Sequence, residues 1–239
     1  MSDHDPNPDG MRLSRRGTLL RLAGLAAVAG GGAGWRLATS DEADAGPLAV
    51  SSGLVSCVLT PELTEGPYYV DGQRLRRDIT EGKAGTPLRL RLTVVNASSC
   101  KPVRNAAVDV WHCDALGVYS GDVAGNPGTN FLRGVQRTTA KGLATFETIY
   151  PGFYPGRAVH IHVKVHVAGN VVHTGQLFFP ARVTNAVYRR APYSGHGATP
   201  DTLNATDSIF RNGGSKGMLA LQKSGSGYIG SIAMGVSLS

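Results

Sequence analysis

Tyr150-Pro151-Gly152-Phe153-Tyr154-Pro155-Gly156-Arg157-Ala158-Val159-His160-Ile161-His162-Val163-Lys164-Val165-His166 is the stretch that decides how this chain folds. From Val159 onward, Val159, Ile161, Val163 and Val165 alternate with His160, His162, Lys164 and His166. Period-two alternation predicts a β-strand with its apolar face in a core. Strand geometry then sets His160 and His162 on one face, roughly 7 Å apart at their α-carbons, so both imidazoles can reach one metal ion. On a helix the same spacing points them apart. Tyr154, held among Pro151, Gly152, Pro155 and Gly156, precedes the strand in a tight turn and can reach the same point. A His-x-His pair alone is also what a solvated strand face looks like, and a tyrosine in a Pro/Gly turn is often simple packing.

Working outward, residues 86–95 alternate with Leu88, Leu90 and Leu92 on one face. Short strands are predicted over 106–111, 142–149, 159–166, 174–179 and 228–236, separated by Gly, Pro, Asn and Ser clusters. Helical signals are almost absent beyond residue 45, and residues 181–217 read as an ordered but irregular loop region. The fold class expected is all-β: an antiparallel β-sandwich with long loops. A second tyrosine, Tyr119, lies in an equally constrained setting, Trp111-His112-Cys113-Asp114-Ala115-Leu116-Gly117-Val118-Tyr119-Ser120-Gly121.

The chain resembles the intradiol ring-cleavage dioxygenases, non-haem Fe(III) enzymes that open catechols between their two hydroxyls. Four segments carry the resemblance, in family order. They are Leu59-Thr60-Pro61-Glu62-Leu63-Thr64-Glu65-Gly66-Pro67-Tyr68-Tyr69, the stretch 111–121, the stretch 142–162, and Gly175-Gln176-Leu177-Phe178-Phe179. The resemblance implies a prealbumin-like sandwich with Fe(3+) held by Tyr119, Tyr154, His160 and His162, Tyr154 leaving when substrate binds. It implies that Arg157 faces the substrate ring, that Gln176 hydrogen-bonds near the reacting centre, and that Pro67 and Tyr68 border the substrate pocket. The partners implied are a catecholic aromatic substrate and O2, and the product a cis,cis-muconate-type diacid. The chain is closer to the compact protocatechuate-type core than to catechol-type members with a helical dimerisation region, which leaves oligomeric state open. Two phenolates beside two imidazoles suit this ion, because anionic oxygen is a hard ligand that favours a highly charged cation. The competing readings are a prealbumin-like module that binds carbohydrate or protein without catalysis, and a copper site built on the histidines and a tyrosine.

Residues 1–45 read as a twin-arginine export signal, leaving 46–239 as one catalytic domain. Ser14-Arg15-Arg16 precedes an apolar Ala/Gly-rich run, and Ala43-Asp44-Ala45 offers small residues for cleavage. The apolar run is short and glycine-rich beside the about 20 residues that a membrane span needs. Export to a periplasmic or extracellular compartment is therefore expected. Three cysteines, Cys57, Cys100 and Cys113, allow one disulfide with one thiol left over, and spacing does not choose the pair. The net charge of +7 is spread along the chain with no recognition helix or stacking motif, which argues against nucleic acid as a partner.

Overall fold

A computed structural model describes residues 57–197 and 199–238. The proposed signal segment and the boundary at residue 45 lie outside them. The described chain builds two four-stranded sheets. One contains β1 (Pro87–Asn96), β4 (Leu143–Ile149), β7 (Ala220–Ser224) and β8 (Gly227–Val236), in the order β4-β1-β8-β7. The other contains β2 (Ala107–Trp111), β3 (Arg133–Arg137), β5 (His160–Val167) and β6 (Asn170–Phe178), in the order β3-β2-β5-β6.

The inward faces are those that alternation selects. Leu88, Leu90 and Leu92 of β1 and Phe146 of β4 meet Val108 and Val110 of β2 and Ile161, Val163 and Val165 of β5 in one continuous apolar core. Each such side chain contributes about 1.5–3 kcal/mol by leaving water. The expected all-β architecture of two sheets is present, with two corrections. The pairing is not wholly antiparallel, because β1 runs parallel to β8, with Leu88 opposite Tyr228 and Asn96 opposite Val236. Residues 181–217 also contain two short helices, α1 (Ala181–Tyr188) and α2 (Ser208–Arg211). Helix α1 buries Val183, Thr184, Val187 and Tyr188, and Asp207 caps α2 by accepting from the amides of Ile209 and Phe210.

The outer face of β5 is not solvated. His160, His162 and Lys164 are all buried, as are the apolar residues between them. What covers them is the strap formed by residues 57–70. Its first residue is joined by a disulfide, Cys57–Cys100, and Cys113 remains a buried free thiol. Thr60 N donates to Gly235 O of β8 at 2.8 Å, and Leu63 N donates to Thr174 O of β6 at 2.9 Å. Glu62 accepts from Thr174 N at 2.8 Å and lies 3.0 Å from His173 Nδ1, while Glu65 pairs with Lys164. The strap therefore converts an open sheet face into a closed, partly polar interior.

Candidate metal centre and substrate site

Strand register brings the site together in one row across the second sheet. Arg133 of β3 lies opposite Trp111 of β2, Trp111 opposite His162 of β5, and His162 opposite Gln176 of β6. Side chains in such a row share a face and lie in contact range. Trp111 stacks on the His162 ring, centroids 4.9 Å apart and planes within 8°. On its other side, His162 meets Gly66 of the strap, where an added Cβ would lie 3.1 Å from His162 Cε1. Gly66 also has φ of +74°, so the position favours glycine both by backbone and by space. The imidazole is held between tryptophan and backbone.

His160 and His162 aim their Nε2 atoms at one point, 3.1 Å apart. His160 Nδ1 donates to Ala158 O at 2.6 Å, which fixes the tautomer and leaves Nε2 with its lone pair free for a cation. Tyr154 Oη lies 3.3 Å from the same Nε2. The rings of Tyr119 and Tyr154 meet edge to face at 5.7 Å, and Tyr119 and His162 at 6.3 Å. The Tyr119 hydroxyl is buried and has no hydrogen-bond partner among the described residues. All four expected ligands thus crowd one small volume. His112, by contrast, has both ring nitrogens engaged, with Cys113 O and Thr148 Oγ1, and serves the packing.

Electrostatics favour the same assembly. Burial, helped by Arg157, pushes the His160 imidazolium pKa down to about 3, and burial with neighbouring His160 holds His162 well below its ordinary value. Both rings are therefore neutral near pH 7, as ligands must be. Burial pushes Tyr119 far above the ordinary phenol value and raises Tyr154 as well. Neither phenol ionises there unless a cation is bound. Two neutral imidazoles, a buried phenol without a partner and a half-buried second phenol fit a hard, highly charged metal ion.

Beside these four, Arg157 reaches three groups. Its Nε donates to Asp207 Oδ2 at 2.9 Å, one terminal nitrogen to Tyr154 Oη at 3.4 Å, and the other to Gln176 Oε1. Gln176 Nε2 in turn donates to Thr64 O of the strap at 2.9 Å. Tyr68 stacks on Tyr119 at 4.4 Å and meets Tyr154 edge-on at 6.0 Å, so it joins the aromatic wall. Pro67 is exposed on the strap, one residue from Gly66. Sequence reasoning missed Arg133, which is buried and donates to Ser120 Oγ, Ser120 O and Tyr68 O, tying the strap to the segment that carries Tyr119. Its stretch, Arg133-Gly134-Val135-Gln136-Arg137, has the composition of a solvated edge and gives no such signal.

The next row along the same face holds Val135, Asp109 and Lys164 in register. Asp109 is 3% exposed, one of its oxygens lacks a partner, and burial pushes its pKa up to about 7. It lines a separate cavity of about 400 Å³ with Tyr69, Gln73, Arg137 and His166. A carboxyl whose folded pKa is raised stabilises the fold least where it is ionised: its contribution is full below pH 4 and lost as pH rises through about 7. Asp109→Asn is accordingly expected to raise stability by of order 2 kcal/mol at pH 8 and to leave it unchanged near pH 4. Urea unfolding of both proteins across that range checks this; a constant difference at every pH would rule it out.

On this two-sheet β scaffold two tyrosines and two histidines converge in one interior, a donor set suited to a metal ion. A family model described as Dioxygenase matches residues 64–186. An intradiol ring-cleavage dioxygenase from Tetranychus urticae superposes with a TM-score of 0.72 at 33% identity, over 76% of this chain and 95% of that one. The dioxygenase domain of a dioxygenase carbohydrate-binding protein fusion from Streptomyces sp. SirexAA-E gives 0.59 at 30% identity, over 76% and 99%. Catechol 1,2-dioxygenase 1 of Acinetobacter lwoffii is 36% identical over 101 residues, 40% of this chain and 32% of that protein. The chain thus spans about a third of the length of the curated relatives it matches. It belongs to the intradiol ring-cleavage dioxygenase family, oxidoreductases that incorporate O2.

Proposed function

We propose that this protein is an exported Fe(III) intradiol dioxygenase, built on a prealbumin-like sandwich, that inserts both atoms of O2 into a catecholic substrate to give a cis,cis-muconate-type diacid. The observation that carries this reading is the convergence of the His160 and His162 Nε2 atoms, 3.1 Å apart, beside the buried, unpartnered Tyr119 hydroxyl. Iron(III) bound by Tyr119, Tyr154, His160 and His162 would supply Lewis acidity and a template for both reactants. Tyr154 is the phenol placed to exchange a proton with a catechol hydroxyl, because Arg157 donates towards its oxygen and its side chain is half-buried where that of Tyr119 is buried. Arg157 faces the negative charge that develops on the ring, and Gln176 holds the guanidinium in place from the other side. Tyr68 offers an aromatic face to a planar substrate, and Trp111 with the strap excludes water. Twin-arginine export fits metal loading before secretion, and the Cys57–Cys100 bond supports an oxidising destination.

The test is direct. Protein purified without added metal should carry roughly one iron per chain and a reddish colour from tyrosinate bound to Fe(III). With catechol it should consume O2, and 18O2 should place both labelled atoms in a ring-opened diacid. Stoichiometric zinc or copper, with no activity after iron reconstitution, would sink the reading. A colourless, inactive protein that binds carbohydrate would favour the binding module.

A further inference from the structure

We infer that Asp207 is a positioning residue of the reaction, holding the Arg157 guanidinium and the backbone before His160 in the geometry that turnover needs. The inference rests on the proposed function, since Arg157 matters only if a substrate is turned over beside it.

Asp207 lies fifty residues beyond Arg157 in sequence, in the region between β6 and β7, and its side chain is fully buried. One carboxylate oxygen, Oδ2, accepts from Arg157 Nε at 2.9 Å and from Ala158 N at 2.8 Å. The other, Oδ1, accepts from Ile209 N at 2.7 Å and Phe210 N at 3.0 Å. Every strong acceptor direction is therefore used, and the charge is compensated by a guanidinium whose own exposure is 16%.

Two consequences follow for the site. A long arginine side chain loses its rotational freedom when Nε is anchored, so its two terminal nitrogens are presented as a fixed pair, one towards Tyr154 Oη and one towards Gln176 Oε1. The second consequence runs through Ala158: its amide is held by Asp207, and its carbonyl accepts from His160 Nδ1. One carboxylate thereby sets both the cation that meets the substrate and the peptide that orients a metal-binding imidazole. It also couples these to α2, the helix that it caps, so the loop between β6 and β7 becomes a support for the site.

A double-mutant cycle separates this role from simple capping. Asp207→Ser keeps a capping oxygen for α2 but is too short to reach Arg157, while Asp207→Asn keeps the shape and loses the charge. Each is expected to lower turnover about 10-fold or more, with iron content and visible absorbance retained. In an Arg157→Ala background each should lower turnover by clearly less than it does alone, the remainder reporting the route through Ala158 and His160. Melting temperature supplies a readout independent of turnover: Arg157→Ala strands a buried carboxylate, so adding Asp207→Ser should recover part of the lost melting temperature rather than lower it again. Turnover losses that multiply in full across the two sites, or melting temperatures that fall additively, overturn the inference and leave Asp207 a helix cap. Wild-type protein that holds iron yet neither colours nor consumes O2 with catechol would overturn the proposed function instead, and the melting cycle would still report whether the two side chains are coupled.

Discussion

Tyr119→Ala or His162→Ala should leave a folded protein that has lost most of its iron and its visible absorbance. Both side chains are essentially enclosed, His162 clamped between Trp111 and Gly66 and Tyr119 under Tyr68, so each truncation removes a donor that packing holds in one place. Both are also expected to remain bound throughout turnover, unlike Tyr154. The control is His166→Ala. His166 lies about 13 Å along β5 from His162 by the rise per residue, past a register shift, and faces the separate cavity that Asp109 lines. That variant should keep iron and colour. Iron assay and absorbance on the three proteins decide the matter, and a His166→Ala protein as bleached as His162→Ala would show that the ligand set is wrong.

The second large effect concerns Arg157. Arg157→Ala should retain iron and colour while its turnover falls by about 10²-fold, the lower end for removing one preorganised electrostatic donor. Arg157→Lys should fall between that variant and the wild type, since it restores charge but loses the planar fork that spans Asp207, Tyr154 and Gln176. Measuring iron content beside kcat separates a part in the reaction from a part in metal retention. Unchanged kcat in Arg157→Ala would make this residue an ordinary partner of Asp207.

Much of this was legible in the residues because it is local or periodic. Alternation located β1 and β5, turn clusters bracketed β2, β4, β8 and the second half of β6, β3 and β7 gave no signal, and the His160/His162 spacing alone placed two imidazoles on one face. Gln176 could be matched by motif, but only the register of β5 with β6 explains why it stands beside His162. What stayed hidden is non-local. The buried polar face of β5 looks in sequence like a solvated one, because its cover arrives from residues 57–70, far upstream. Arg133 sits in a polar strand whose burial depends on that same strap, and Asp207 reaches Arg157 across a connection with no periodic signal. The parallel partner of β1 was equally invisible, since alternation marks a strand's faces and says nothing of its neighbour's direction. The cysteine pair needed the fold for the same reason.

That parallel pairing of β1 with β8 also dictates an order of assembly. The sheet carrying His160, His162 and Gln176 is drawn from β2, β3, β5 and β6, and all its strands exist once Phe178 has left the ribosome. The opposite sheet cannot close then, because β8, one of the two neighbours of β1, is made only after β7, Leu88 waiting for Tyr228. Only the start of the strap waits too, Thr60 for Gly235, since Leu63, Thr64 and Glu65 find their partners on β5 and β6. The cover over His160 and His162 thus has its partners before β8 is made, and β8 completes the opposite sheet and anchors the start of the strap.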